Sequence, residues 1–133
     1  MRGEDFGKFI LRIAIGGLLL MHGIAKLRFG IDWMDGLLTS HGLPVQLKYG
    51  AYAGEVLGPV LVILGFLTRP GALLMAGNMG FAIFLAKMDA VTTLDKVGGW
   101  GIELEALFLL GSLAILFLGA GKISLRKGAA KVD

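Results

Sequence analysis

Long apolar stretches broken by short clusters of charge run through most of this chain. Four of them, over residues 9–27, 50–67, 71–88 and 101–118, are apolar all round a helical wheel and not on one stripe alone. Such a helix lies in a large core or crosses a bilayer, and a crossing takes about 20 mostly apolar residues. The pattern predicts an all-α fold: a single domain over residues 1–133, built as an integral membrane four-helix bundle. A soluble bundle would need polar outer faces, which these segments lack.

The breaks between the stretches set their connections. Thr68, Arg69, Pro70 and Gly71 form a tight turn that makes spans two and three an antiparallel hairpin, with Arg69 as an interfacial anchor. The connection over 28–49 holds Trp33, Met34, Leu37 and Leu38 ahead of Gly42, Leu43 and Pro44, which predicts a short interfacial helix. Gly50, Gly54 and Gly58 repeat every fourth residue in span two, a small-residue seam that lets another helix of this chain or a second copy approach closely. No small-x-small cleavage site follows Leu18, Leu19 and Leu20, so the first apolar segment is expected to be retained and not removed as a signal peptide.

Composition strengthens the membrane reading: 56% of residues are hydrophobic and 17% charged, with a mean hydropathy of +0.78. Cysteine is absent, which excludes disulfides, thiolate metal sites and iron–sulfur clusters; no metal is expected. The net charge of +3 comes from basic residues at helix ends and not from a patch, so nucleic acid is not an expected partner. Arg2, Lys8, Arg12, Arg69, Lys122, Arg126, Lys127 and Lys131 fall on one side, against Lys26, Arg28, Lys48, Lys87 and Lys96 on the other. The bias predicts a multi-pass protein of the bacterial or archaeal inner membrane with both termini cytoplasmic.

Ionisable side chains inside spans are costly and are functional candidates by default. They are His22, Lys26, Glu55, Lys87, Glu103 and Glu105, expected together toward the outer face, where Trp33, Tyr49, Tyr52 and Trp100 also fall. His22 and Lys26 are four apart and share a helix face; Glu103 and Glu105 are two apart, so one at most faces the bundle centre easily. Glu55, placed near the start of span two, lies beside the glycine seam within reach of a base from another span. Simpler roles compete: Lys87 and Glu105 as snorkelling or structural ion-pair residues, Arg12 as a snorkelling residue beneath an otherwise uncharged inner half, Asn78 as a cross-helix hydrogen bond, and Met21, Met75, Met79 and Met88 as flexible filler.

The arrangement resembles the DoxX family of small membrane proteins. The resemblance rests on Arg12 with the glycines of span one, on His22, Gly23, Lys26 and Leu27, and on Glu55 in a glycine-rich second helix. It continues through Gly65, Leu67, Thr68 and Arg69 at the hairpin, Gly98, Gly99 and Glu103 opening the fourth helix, and Gly119, Gly121, Ser124 and Leu125 closing it. This sequence has Ala120 where a proline often stands, and Glu105 as a second acid near Glu103. The resemblance implies a four-span inner-membrane protein linked to quinone chemistry, thiosulfate oxidation and oxidant responses, as a subunit or accessory of an oxidoreductase.

The leading expectation is therefore a quinone-interacting membrane component whose catalytic residues are His22, Lys26, Glu55 and Glu103, with Trp100 added to the same four in binding the quinone head group. A histidine titrates near neutral pH and a carboxylate can relay protons, while a lysine can polarise a quinone carbonyl. Electrons would have to come from a partner protein. Haem ligation by His22 and His41 is disfavoured because His41 falls in the long connection. The alternatives are a non-catalytic structural or assembly subunit of a larger membrane complex, and a small proton-coupled transporter using Glu55 in a homodimer.

Overall fold

A computed structural model describes residues 3–133; Arg2, counted above among the basic residues of one side, lies outside the described residues. α1 (Gly3–Phe29) has 27 residues, about 40 Å at 1.5 Å per residue. The expected short helix, α2 (Met34–Ser40), follows in the connection. Helix α3 (Val45–Leu64) opens on a tight turn at Val45–Tyr49, α4 is Thr68–Ala86, and α5 is Glu103–Leu118. Three of these, α1, α3 and α4, are long and apolar enough to cross a membrane. At 16 residues α5 spans about 24 Å, short of a hydrocarbon core of about 30 Å; it has no charged residue beyond Glu105 and completes the four-helix bundle.

α1 packs on α3 and α5, α3 packs on α4, and α4 packs along α5. Ile15, Leu19, Val62, Ala72, Met75, Met79, Phe108 and Ile115 meet at the centre. Met75 and Met79 are the flexible filler expected there, whereas Met21 and Met88 are exposed. Ile10, Leu18, Leu57, Leu73, Leu107 and Leu110 are exposed on the outside of the bundle, where lipid tails would lie.

The hairpin turn lies earlier than the helix-breaking residues suggest. Gly65 adopts a left-handed conformation (φ 73°) and donates its N–H to the carbonyls of Leu61 and Val62, which closes α3. Thr68 to Gly71 form the first turn of α4, where the missing N–H of Pro70 costs nothing. Arg69 is committed to the protein: its Nη1 donates to the carbonyls of Leu116 and Phe117 at the end of α5.

Two of the three seam glycines are used inside the chain. A side chain at Gly54 would collide with Asn78 of α4, and one at Gly58 would lie 2.8 Å from the Gly71 carbonyl oxygen. Gly50 alone faces open space.

Arg12 does not snorkel. It is 1% exposed, and its guanidinium donates from Nε to the carbonyl of Val62 (2.8 Å), from Nη2 to Ile63 (2.8 Å), and from Nη1 to Ala120 (3.0 Å) and Ile123 (2.6 Å). The carbonyls at the end of a helix have no partner within it. Arg12 satisfies two of them on α3 and ties that end to the segment after α5, so the half of the bundle expected to be uncharged holds a buried cation.

Candidate functional site

Glu55 sits in the middle of α3, not near its start, because the helix begins at Val45. Proline has no N–H, and its ring presses on the carbonyl four residues earlier. Pro59 stands four residues after Glu55, and the chain responds with a wide π turn over Ala53–Leu57, in which the Gly58 N–H reaches the Ala53 carbonyl. Such turns recur at functional sites. The displaced Glu55 carbonyl lies where a side chain on Gly23 of α1 would be, a position only glycine leaves open.

That contact brings Lys26, three residues along the same face of α1, onto the Glu55 side chain. Lys26 Nζ donates to Glu55 Oε1 at 2.6 Å, and Asn78 Nδ2 donates to Glu55 Oε2 at 3.1 Å. Glu55 is 4% exposed, and the Lys26 side chain 20%. Each carboxylate oxygen has a donor, which burial of a charge requires. An ammonium carries three N–H bonds, so Lys26 keeps donor capacity for another acceptor.

Two cavities flank this triad. One of about 140 Å³, between α1, α4 and α5, is lined by His22, Lys26, Glu55, Met79, Glu105 and Phe108. The other, about 70 Å³, lies beneath α2 between Lys26, Met34, Glu55, Asn78 and Phe81. It shares Met34, Ala51, Asn78 and Phe81 with an apolar groove of about 420 Å³ along Gly50, Leu73 and Gly77. α2 is held over this region by Lys48, whose Nζ lies 3.0 Å from both Asp32 and Asp35.

The residues singled out from sequence divide. Lys26 and Glu55 meet directly, and His22 lines the first cavity with its ring nearly perpendicular to that of Phe108 (centroids 5.5 Å apart, 82° between planes) and Nδ1 3.0 Å from the Leu18 carbonyl oxygen. Glu103 is exposed at the start of α5 and does not line either cavity. The acid that does is Glu105, 3.5 Å from Lys87 Nζ. Trp100 stands apart as well: its Nε1 donates to the Val91 carbonyl at 2.6 Å and closes the loop before α5. His41 lies just past α2 with its ring 5.2 Å from that of Phe84. Among the described residues no three His, Asp or Glu side chains gather as a metal site.

Asn78 makes the cross-helix hydrogen bond expected of it, but its partner is the buried carboxylate, so it belongs to the site. The signal for this was present: Gly54 next to Glu55 leaves the gap that Asn78 enters.

The family model DoxX matches residues 7–88, the stretch that contains the whole triad. A Haemophilus influenzae protein named "Uncharacterized protein" is 34% identical over 86% of this chain and 84% of its own length. A Bacillus subtilis protein named "Putative oxidoreductase CatD" is 30% identical, covering 91% of this chain and 85% of its own. The Mycobacterium tuberculosis "Uncharacterized membrane protein Rv3486" is 29% identical over 91% and 80%. No solved structure matches the chain significantly.

Proposed function

This chain belongs to the DoxX family of membrane proteins, and from that premise we propose that it is a quinone-interacting subunit or accessory of a membrane oxidoreductase complex. The observation that carries the reading is the buried Lys26–Glu55–Asn78 triad, placed between a cavity lined by acid and imidazole groups and an apolar groove. The oxidoreductase in the name of one relative agrees with it.

The residues suit the group. An apolar tail fits the 420 Å³ groove beside Leu73 and Gly77, and a head-group carbonyl oxygen needs a donor where Lys26 has N–H bonds to spare. A bound quinone would supply the redox chemistry, taking up protons together with electrons. In this reading Lys26 binds and polarises the carbonyl, Glu55 holds Lys26 in register and exchanges its proton, and Asn78 fixes the carboxylate. His22 and Glu105, across the first cavity, pass protons between the triad and water. A partner protein delivers the electrons, since this chain has no cysteine to hold an iron–sulfur cluster. The end with His22 and Lys26 faces outward from the inner membrane, and the end bearing Lys8 and Lys122 faces the cytoplasm.

Protein purified from its native membranes and extracted with organic solvent tests this. Quinone in the extract at close to one per chain, and its loss from a folded Glu55→Gln variant, is the expected result. Full phenotype and assembly in cells carrying Glu55→Gln would instead support the assembly-subunit reading. That second reading has its own observation, that both oxygens of Glu55 are already satisfied within the chain.

A further inference from the structure

We propose that the opposite end of the bundle carries a separate binding site: a cleft that takes the phosphate of an anionic phospholipid head group. Lys8 of α1 and Lys26 are 18 positions apart, about 27 Å along one helix, so this cleft is remote from the triad.

The cleft, about 490 Å³, opens where α1 starts and α5 stops. Five cations line it: Lys8 from α1, Arg69 from the first turn of α4, and Lys122, Lys127 and Lys131 from the segment after α5. Of its three acids, two are already engaged. Asp5 accepts the backbone N–H of Lys122, and Asp133 accepts those of Leu67 and Ala130 together with the Arg126 guanidinium. Among the described residues, none of the four lysines has a carboxylate within ion-pair distance. Like charges gathered around one concavity repel one another, and a bound anion relieves that repulsion.

The concavity is built into the backbone. The segment after α5 turns back through Gly119, Gly121 and Gly128, all at positive φ, and is tied down by the Leu125 N–H on the Leu64 carbonyl and the Arg69 N–H on that of Val132. The Lys8 stem lies against Gly121, where an added Cβ would be 3.1 Å from Lys8 Cδ. A lipid fits better than a free anion because the wall continues into apolar surface: Leu118 lines the cleft, and Phe117 beside it is 76% exposed. Basic pockets between membrane helices hold lipid head groups by this combination.

Native mass spectrometry of the full chain in detergent, titrated with phosphatidylglycerol, phosphatidylcholine or inorganic phosphate, tests the site. Phosphatidylglycerol is expected to bind in preference to phosphatidylcholine. Lys127→Gln with Lys131→Gln should weaken it by about twenty-five-fold, about fivefold for each exposed lysine. The Lys→Arg pair should retain it, which shows that the loss is of charge and not of fold. If inorganic phosphate displaces the lipid and is itself lost in the Gln pair, the phosphate site stands but its source is a soluble anion. Equal retention of the two lipids, or undiminished phosphatidylglycerol binding by a folded Gln pair, overturns the proposal.

Discussion

The main-chain carbonyl of Glu55 occupies the space that a side chain on Gly23 would need, so α1 and α3 touch backbone to backbone at the level of the buried ion pair. Pro59 is what leaves that carbonyl outside the ordinary helical ladder. The histidine-glycine-x-x-lysine sequence of α1 thus has a mechanical meaning: glycine sets the distance and lysine, one turn on, uses it.

Gly23→Ala is therefore expected to push α1 from α3 and to cost about 1–3 kcal/mol, the usual penalty of overpacking. Gly17→Ala, in the same helix with open space around it, should be nearly neutral. Thermal unfolding of the two variants in one detergent checks the contrast, and equal stabilities would remove the account of Gly23.

Removing one partner of a buried pair strands the other. Lys26→Met alone should lose about 3–5 kcal/mol, whereas Lys26→Met with Glu55→Met should recover most of it while still failing to bind quinone. A double variant no more stable than the single one would show that the pair is not coupled as its 2.6 Å separation indicates.

Arg12 serves four carbonyls from one planar group, a task an ammonium cannot copy. Arg12→Lys is expected to cost at least the value of one charged hydrogen bond, about 1.5–3 kcal/mol. The loss should appear first as protease sensitivity of the segment after Leu118, which the guanidinium pins at Ala120 and Ile123.

Acid should loosen the same segment by a different route. The Arg126 guanidinium, and then the N–H groups of Leu67 and Ala130, hold the Asp133 carboxyl below the usual aspartate range, against the opposing effect of burial. A carboxyl whose pKa is lower in the folded than in the unfolded chain stabilises the fold at pH above the unfolded value, about 4, and that contribution is lost as pH falls through the folded value. Wild type should exceed Asp133→Asn in melting temperature at pH 7, with the gap closing below about pH 4. A gap that stays constant down to pH 3 would contradict this.

Much of the fold was legible because bilayer burial leaves a coarse signature: long apolar runs, glycines where helices touch, and a short helix in the connection marked by Trp33 and Met34. The ends of the helices were less so. Gly65 stops α3 and Pro70 lies within the first turn of α4, yet both residue types read simply as breakers in a sequence. For the site, Lys26 and Glu55 stood out as charges in apolar spans, but the acid on α5, and the buried Arg12 at the other end of the bundle, needed three dimensions. Glu105 rather than Glu103 faces the cavity because the phase of α5 around its axis is set by packing on α4. Arg12 looked like a snorkelling residue because its four acceptors come from backbone carbonyls, which no side-chain pattern announces.

Titration of the purified chain with a short-tailed quinone measures the central claim most directly, by comparing wild type with Glu55→Gln, Asn78→Leu and Glu103→Gln. Saturable binding at one site, weakened at least about tenfold, or about 1.4 kcal/mol, in the first two variants and unchanged in the third, is the result expected of a head group held by the triad. No saturable binding by the wild type, or equal affinity in all four proteins, would contradict it.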